Sequence, residues 1–306
     1  MATTTLPEAT RALYPFKSHH LTLSDGKRMH YVDEGPPDGD VLVFVHGYPT
    51  WSFIYRAPLI YYAAQGYRCV AMDHIGWGLS DKPTSRRYHT LRRHIYNFIE
   101  CLDALDVDKV TLVMEDWGAI LALGYALRRL ARVRRLVIMN AWVFQESYPI
   151  PLSPFIRLAT RPGIGELLFR ALNLALNVGL QHWSVRRLAP AAVVGYKIPF
   201  RDARRRTALY QFPRMISTTP THPSASLIRE IEGGLRQLDR KPTLIVWGQD
   251  DGIFPPPLAN HWAKMMPHAQ GPVRIERARH FLMEDAPEAV LLAMDDFFAM
   301  TSHNSQ

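Results

Sequence analysis

Cysteine is nearly absent from this chain of 306 residues, which contains only Cys69 and Cys101. Two thiols cannot form a disulfide framework, so we expect a protein of a reducing compartment, the cytoplasm. No run of uncharged apolar residues is long enough for a membrane span, and the first residues lack the apolar core of a secretion signal. The sequence has neither an internal repeat nor a low-complexity tract, which excludes solenoid and disordered classes.

Acidic residues are fewer than basic ones, 28 against 36, and the formal net charge is +8. Most of the excess is arginine, in clusters at residues 128–129, 134–135 and 204–206. No nucleic-acid-binding motif accompanies these clusters, so we expect a solvated basic surface and no nucleic-acid partner. An acidic partner protein is an alternative explanation of the charge.

Short apolar runs alternate with helical patterns in the first half of the chain and again near its end. Strands are predicted at residues 28–33, 41–45, 67–72, 109–114, 135–139, 243–247 and 273–276. Helices are predicted at residues 51–64, 90–105, 117–130, 227–238, 257–266 and 287–298. This alternation predicts an α/β fold with a mostly parallel sheet and helices on both faces.

Residues 142–226 interrupt the alternation, because they are rich in proline and helical segments but show no strand pattern. We therefore predict an inserted helical cap at residues 142–226 and a core formed by residues 1–141 and 227–306. The apolar stretch at 155–183 either roofs a pocket or forms an oligomer or membrane-facing surface, and we prefer the pocket.

Reactive side chains follow the predicted strands, where ligands bind in sheets of this kind. Residues 115–118, Glu-Asp-Trp-Gly, form a strand–turn–helix junction like a nucleophile elbow, although no G-x-S-x-G occurs in the chain. Asp116 stands where serine is usual. A carboxylate needs no base to activate it, and its attack gives an ester on the enzyme. The order Asp116, Asp251, His280 then matches nucleophile, acid and base, with His280 activating water.

We expect neither a metal nor a cofactor. His89 and His94 are five residues apart on a predicted helix, which does not place them on one face as ligands. The run Gly76-x-Gly78 lacks the third glycine of a phosphate-binding loop. Asp73, just before it, is interpreted as ordering this loop rather than as a catalytic acid.

Three motifs together resemble the haloalkane dehalogenases, within the α/β-hydrolase superfamily. They are His46-Gly-x-Pro-Thr-Trp51, Asp73-x-Ile-Gly-x-Gly-x-Ser-Asp-Lys-Pro83 and Asp116-Trp-Gly118. The runs Phe-Pro-Arg-Met-Ile at 212–216 and Thr-x-Pro-x-His-Pro at 218–223 resemble the third dehalogenase subfamily, which is also similar to the bacterial β-lactone decarboxylases of olefin biosynthesis. The resemblance implies an α/β-hydrolase fold with a cap, no cofactor, and water plus a small apolar haloalkane or lactone as substrates. Pairing into a homo-oligomer also fits it.

The resemblance implies a role for each matched residue. Asp116 attacks the halogen-bearing carbon, and the indole N–H of Trp117 donates to the leaving halide. The backbone N–H groups of Tyr48 and Trp117 form the oxyanion hole used in ester hydrolysis. His280 is the base that activates water.

The acid of this family follows one of two strands. After the strand predicted at 135–139 stands Asn140, which cannot be anionic. After the strand predicted at 243–247 stands the run Gly-x-x-Asp, which ends at Asp251. The resemblance therefore implies Asp251, rather than its neighbour Asp250, as the acid.

The sequence departs from the family at three positions. Tyr48 stands where asparagine often supplies the second halide donor. The second donor is therefore predicted to be either the Tyr48 hydroxyl or an indole N–H of the cap, for which Trp183 is the preferred candidate and Trp142 the next. Glu115, before the nucleophile, would hinder ionisation of Asp116 if the two carboxylates were close, unless it points toward an arginine. Arg279 replaces the usual glycine before His280, which we interpret as harmless. The predicted pocket residues are Trp142, Phe144 and Phe212.

Three other functions use the same parts. A β-lactone decarboxylase would direct Asp116 at a lactone ring and suit an apolar cap. An epoxide hydrolase would need a cap tyrosine to protonate the epoxide oxygen, for which Tyr148, Tyr196 and Tyr210 are the candidates, although the loop at 75–83 resembles dehalogenases more. A non-catalytic scaffold is disfavoured by the intact triad.

Overall fold

The computed structural model describes residues 5–148, 153–217 and 219–302. Within these residues eight strands form one mixed sheet in the spatial order β1-β2-β4-β3-β5-β6-β7-β8. The strands are β1 His19–Thr22, β2 Arg28–Glu34, β3 Val41–Val45, β4 Arg68–Met72, β5 Val110–Asp116, β6 Val133–Ala141, β7 Thr243–Gly248 and β8 Gln270–Ile275. β2 pairs antiparallel with β1 and β4, and the other neighbours are parallel. The predicted mostly parallel α/β sheet is confirmed.

Helices cover this sheet and fill the interval between β6 and β7. They are α1 Glu8–Leu13, α2 Arg56–Ala64, α3 Leu91–Ala104, α4 Trp117–Arg128, α5 Pro154–Thr160, α6 Leu180–His182, α7 Pro190–Lys197, α8 Thr207–Gln211, α9 Ala225–Leu238, α10 Pro257–Met265, α11 Leu282–Asp285 and α12 Pro287–Ser302. Short 3-10 helices lie at Ser52–Tyr55, Arg86–Tyr88, Leu130–Arg132, Ile198–Phe200, Ala203–Arg206 and Pro213–Met215, and π-helical turns at Glu166–Ala171 and Ala175–Gly179. No described helix is both long and apolar enough to cross a membrane.

The central strands and α4 are buried because their sequences are apolar on every side. All seven residues of β5 are buried, as expected for a parallel strand covered on both faces. Helix α4 follows directly and is buried from Trp117 to Ala126, packed between α3 and α9. Thr90 caps α3 by accepting a hydrogen bond from the Arg93 backbone N–H at 3.2 Å. These contacts hold the β5–α4 junction in a rigid frame.

Some elements differ from the sequence prediction. The predicted helix 51–64 begins as the 3-10 helix Ser52–Tyr55, because the Ser52 N–H donates to Asp73 rather than continuing an α-helix. The edge strand β1 and the short helices α1 and α11 lack the periodic patterns that predict longer elements. Strand β8 begins at Gln270, three residues before its predicted start.

The described part of residues 142–226 contains helical elements and no strand. Residues 149–152 and 218, the latter starting the predicted motif at 218–223, lie outside the described residues. Helix α9 begins at Ala225, one residue before the predicted end of the cap. The division into core and cap stays a prediction.

Candidate active site

The β5–α4 junction is a sharp turn with Asp116 at its tip. Asp116 has φ +51° and ψ −124°, in the left-handed half of the backbone map that non-glycine residues seldom adopt. The turn needs glycine on both sides. A Cβ on Gly47 would lie 2.4 Å from the Asp116 Cβ, and one on Gly118 would lie 2.0 Å from the Val45 carbonyl oxygen. The side chain of Asp116 is thereby presented above the ends of the strands.

The structure brings Asp116, His280 and Asp251 together. His280 Nε2 lies 3.4 Å from Asp116 Oδ2, and His280 Nδ1 lies 3.0 Å from Asp251 Oδ2. The second oxygen of Asp251 accepts hydrogen bonds from the backbone N–H groups of Ile253 at 2.7 Å and Phe254 at 3.1 Å. Asp251 is therefore fixed in the orientation that holds the imidazole toward Asp116.

The Asn140 side chain joins the ends of three chain segments. Its amide nitrogen donates to the carbonyl oxygens of Arg279 at 2.9 Å and His280 at 3.0 Å, and its oxygen accepts from the Gly248 N–H at 2.9 Å. Asn140, which follows β6 where the family can carry its acid, thus positions the loop of His280 by bonding the backbone of that loop.

His280 is a buried base between two carboxylates. Burial alone would lower its pKa, but the charge of Asp251, hydrogen bonds to Asp116 and Asp251, and the charge of Asp116 together raise the pKa well above its ordinary value. The imidazole is accordingly protonated while both carboxylates are charged. Removal of either negative charge lowers the pKa of His280, so that more of the imidazole is neutral and able to accept a proton.

Tyr48 contributes its backbone to the site, while its hydroxyl bonds elsewhere. The Tyr48 N–H donates to Asp116 Oδ1 at 2.7 Å, which is the geometry of an oxyanion-hole donor. The Tyr48 hydroxyl donates to the Leu209 carbonyl oxygen at 3.0 Å. A hydroxyl has one proton, so in this arrangement the Tyr48 side chain is not available as the predicted halide donor.

A mostly apolar cavity of about 50 Å³ adjoins Asp116 and His280. Its lining residues are Tyr48, Asp116, Trp117, Trp142, Ser153, Ile156, Trp183, Ile216, Ile253, Phe254 and His280. The indole N–H groups of Trp117 and Trp183 donate to no described residue, whereas that of Trp142 donates to the Phe144 carbonyl oxygen. Two indole donors are thus left for a ligand.

The other two predicted pocket residues lie behind the cavity wall. Phe144 packs its ring 4.5 Å from that of His261 and 4.7 Å from that of Trp262, centroid to centroid, and is not among the lining residues. Phe212 lies 5.4 Å from Trp117 and supports that indole from behind. Composition alone could not separate the lining aromatic side chains from those that support them.

Sequence reasoning missed five lining residues: Ser153, Ile156, Ile216, Ile253 and Phe254. The last two carried a signal, since they follow the predicted acid within three residues and their backbone N–H groups bind it. The other three come from the helical segment: Ile216 ends the run 212–216 that carries the resemblance, whereas no motif marks Ser153 or Ile156.

Glu115 lies buried beside the triad. The pKa of Glu115 is raised to about 8, and burial is the largest cause. The charge of His280 opposes this shift, and the charges of Asp116 and Asp251 add to it. Its Oε2 atom has no hydrogen-bond partner, and no described arginine pairs with it. A carboxyl with this pKa is mainly neutral at pH 7, so it adds little negative charge beside the nucleophile. The expected conflict with Asp116 is removed by a proton rather than by an arginine.

Arg279 ties the histidine loop to the helical segment between β6 and β7. Its guanidinium donates to the carbonyl oxygens of His182 at 3.1 Å and Ser184 at 3.5 Å, and the Phe281 N–H donates to the Trp183 carbonyl oxygen at 3.1 Å. The Trp183 ring is thereby held 6.3 Å from the His280 ring, centroid to centroid. The arginine therefore fixes the backbone on both sides of a lining tryptophan.

The candidate tyrosines of an epoxide hydrolase do not line the cavity. Tyr196 is fully buried and donates its hydroxyl to Glu284. Tyr210 lies under the guanidinium of Arg214, and Tyr148 packs against His261. None of these three hydroxyls is therefore placed to protonate an epoxide oxygen near Asp116.

Asp73 and the histidine pair have structural roles. Asp73 accepts hydrogen bonds from His30 Nδ1 at 2.8 Å and from the N–H groups of Ser52 at 2.9 Å and Leu79 at 2.7 Å, which order its loop. His89 Nδ1 lies 3.3 Å from His94 Nε2. In the described ranges no group of three His, Cys, Asp or Glu side chains could hold a metal ion.

A strand–Asp–helix elbow, with Asp251 after β7 and His280 after β8, is the arrangement of the α/β-hydrolase fold. The sequence pattern of the alpha/beta hydrolase fold family matches residues 40–287. The chain belongs to this family, as the resemblance implied.

Relatives of two activities are similar to the whole chain. A cis-3-alkyl-4-alkyloxetan-2-one decarboxylase of Shewanella oneidensis is 35% identical to this chain. The alignment covers 94% of this chain and 90% of the decarboxylase. A haloalkane dehalogenase of Mycobacterium marinum is 34% identical over 89% of this chain and 91% of its own. The crystal structure of the haloalkane dehalogenase DatA from Agrobacterium tumefaciens C58 superposes with a TM-score of 0.82 at 26% identity, covering 93% of this chain and 97% of that one.

Proposed function

We propose that this protein is a haloalkane dehalogenase in which Asp116 displaces halide from carbon. The observation that carries the proposal is that Trp117 and Trp183 line the cavity beside Asp116 and that no described group accepts a hydrogen bond from either indole N–H. Two such donors in an apolar cavity suit a halide ion, which accepts hydrogen bonds and needs no metal. The named dehalogenase relatives support the same assignment.

In the first step an Asp116 carboxylate oxygen attacks the halogen-bearing carbon. A carbon–oxygen bond forms, the carbon–halogen bond breaks, and the halogen leaves with the bonding electrons as halide. Trp117 and Trp183 donate to the halide as its charge develops. The product is an alkyl ester of Asp116, which is neutral.

In the second step water hydrolyses this ester. Esterification removes one of the two negative charges that raise the pKa of His280, so the imidazole becomes neutral more readily and accepts a proton from water. The hydroxide attacks the carboxyl carbon of Asp116, and the resulting oxyanion accepts from the Tyr48 N–H. Collapse releases the alcohol, which takes the proton from His280, and leaves Asp116 as a carboxylic acid. That acid passes its proton to His280, which restores the carboxylate and the protonated imidazole.

Bromide release from a panel of bromoalkanes tests the proposal. Asp116→Asn should abolish release, because a neutral amide does not displace halide. Asp251→Asn should lower it strongly, whereas the exposed neighbour Asp250→Asn is the matched control and should retain it. Release that survives in Asp116→Asn, or that Asp250→Asn loses as strongly as Asp251→Asn, would contradict the assignment.

A β-lactone decarboxylase is the second candidate, favoured by the decarboxylase relative from Shewanella oneidensis and by the loss of a Tyr48 halide donor. A cis-dialkyl β-lactone incubated with the protein distinguishes the two candidates. Formation of alkene and carbon dioxide without any bromide release from bromoalkanes would replace the first proposal by the second.

We place the protein in the cytoplasm, as a single chain or a homo-oligomer. Buried, free Cys69 and Cys101, each with its pKa raised to about 12 by burial, support a reducing compartment. Cell fractionation tests the location, and light scattering on the purified protein tests the assembly. Recovery in the periplasm would contradict the assignment.

A further inference from the structure

The positive charge of the protein is concentrated between β6 and β7. Residues 153–217 contain eleven lysines and arginines but only two acids, Glu166 and Asp202. The rest of the chain contains 25 basic and 26 acidic residues. The net charge of +8 therefore originates in this helical segment, while the remainder of the chain is close to neutral.

The same segment exposes large aliphatic side chains. Leu167 is 56% exposed, Leu172 is 57% exposed and Val194 is 41% exposed. The Leu172 N–H donates to the Leu167 carbonyl oxygen at 2.9 Å, one π-helical turn apart, which places these two side chains on one face. Apolar side chains this exposed are unusual when they lie close together on a soluble surface.

These aliphatic side chains lie next to cations. Leu172, Val194 and Ile198 border a shallow depression of about 560 Å³ together with Lys197 and Arg201. Within the described part of the chain, neither Lys197 nor Arg201 forms an ion pair. We name this surface the cap face, defined by Leu167, Leu172, Val194, Lys197, Ile198 and Arg201.

Aromatic contacts lead from the π-helical turn that carries Leu167 toward the catalytic cavity. Phe169, on the same π-helical turn as Leu167, is fully buried and lies 4.8 Å from Phe155. Phe155 lies 5.0 Å from Trp183, which lines the cavity. A continuous row of aromatic side chains thus connects the exposed face with the catalytic cavity.

We propose that the cap face docks on the surface of an anionic lipid bilayer. Aliphatic side chains enter the boundary between headgroups and acyl chains, and lysine and arginine beside them contact the acidic headgroups. A second copy of this chain is a poor occupant, because it would bring the same positive charge against itself. The bilayer would also present apolar substrate next to the cavity, a consequence that rests on the function proposed above; the docking does not.

Co-sedimentation with vesicles tests the docking. Vesicles of phosphatidylcholine with about one-third phosphatidylglycerol should bind the protein, more weakly at high salt, and pure phosphatidylcholine should bind it less. Lys197→Gln with Arg201→Gln should lower the partition coefficient by about 25-fold at low salt, about fivefold for each charge. Leu167→Gln with Leu172→Gln should lower it by at least about tenfold.

Matched controls lie on other surfaces. Leu292→Gln removes a leucine that is 63% exposed on α12, and Arg236→Gln with Arg240→Gln removes two exposed cations at the end of α9. These variants should bind vesicles as the parent protein does. Equal loss in the controls, no binding to anionic vesicles, or cap-face variants that change only the oligomeric mass would overturn the proposal.

Turnover separates this proposal from the proposed function. The cap-face variants should keep the parent activity on a water-soluble bromoalkane, since none of the substituted side chains lines the cavity. Vesicle binding that follows the pattern above supports docking even if no bromoalkane is turned over, in which case only the proposed function fails.

Discussion

Replacing Glu115 by glutamine should stabilise the folded protein in alkali and have much less effect in mild acid. The pKa of this carboxyl is raised from 4.5 to about 8, and burial is the largest cause. Between these values the native state keeps a proton that the unfolded chain releases. Because the native state binds more protons there, the free energy of unfolding falls as the pH rises.

The size of the effect follows from the two pKa values. The stabilising contribution of protonated Glu115 is fully present below pH 4.5 and is lost as the pH rises through 8. The loss is about 5 kcal/mol in total, or about 1.4 kcal/mol per pH unit. Glutamine releases no proton. The difference in the free energy of unfolding between Glu115→Gln and the parent protein should therefore grow by roughly 1.4 kcal/mol per pH unit from pH 5 to 8 and level off above.

Urea unfolding of both proteins at several pH values between 5 and 9 measures this difference, in which the titration of all other groups largely cancels. The exposed Glu288 provides the control, because Glu288→Gln should give a difference that does not vary over the same range. A difference between Glu115→Gln and the parent that stays constant from pH 5 to 9 would refute a protonated carboxyl beside the nucleophile.

The remaining predictions concern the halide site and the loop that holds His280. Trp183→Phe should weaken bromide product inhibition by at least about tenfold, since a hydrogen bond to an ion contributes about 1.5–3 kcal/mol. Tyr48→Phe should change the inhibition constant by no more than about twofold. A larger effect of Tyr48→Phe than of Trp183→Phe would contradict the assignment. Arg279→Gly should lower kcat/KM several-fold by loosening Trp183, and Arg279→Lys should retain part of the parent kcat/KM. If steady-state kinetics show an unchanged kcat/KM for Arg279→Gly, Arg279 does not position Trp183. Asn140→Ala should lower the free energy of unfolding by about 2–4 kcal/mol, measured in urea, because three hydrogen bonds are lost, two of them buried. A stability equal to the parent would contradict this.

The order of the strands' carboxyl ends made the triad predictable. Apolar runs such as Val41–Val45 mark buried parallel strands, and in parallel sheets the residues after such strands converge at one edge. Asp116, Asp251 and His280 follow three of these strands, so sequence alone could place them together. The motif around the nucleophile then indicated the chemistry.

Side-chain direction was not predictable in the same way. The partner of the Tyr48 hydroxyl is a backbone carbonyl 161 residues away, which no local pattern encodes. The sequence indicates no role for Arg279, yet its side chain bonds two carbonyl groups of a distant segment. Phe144 has the composition of a pocket residue but packs against His261 and Trp262 instead. Such contacts depend on how the helical segment packs on the sheet.

The central claim is that Asp116 becomes covalently alkylated and that His280 is needed to release the product. Intact-protein mass spectrometry of His280→Phe after incubation with a bromoalkane measures this directly. We expect a mass increase equal to one alkyl group, located by peptide analysis on Asp116, with one bromide released per protein. An unmodified protein after long incubation, or an alkyl group on another residue, would contradict it.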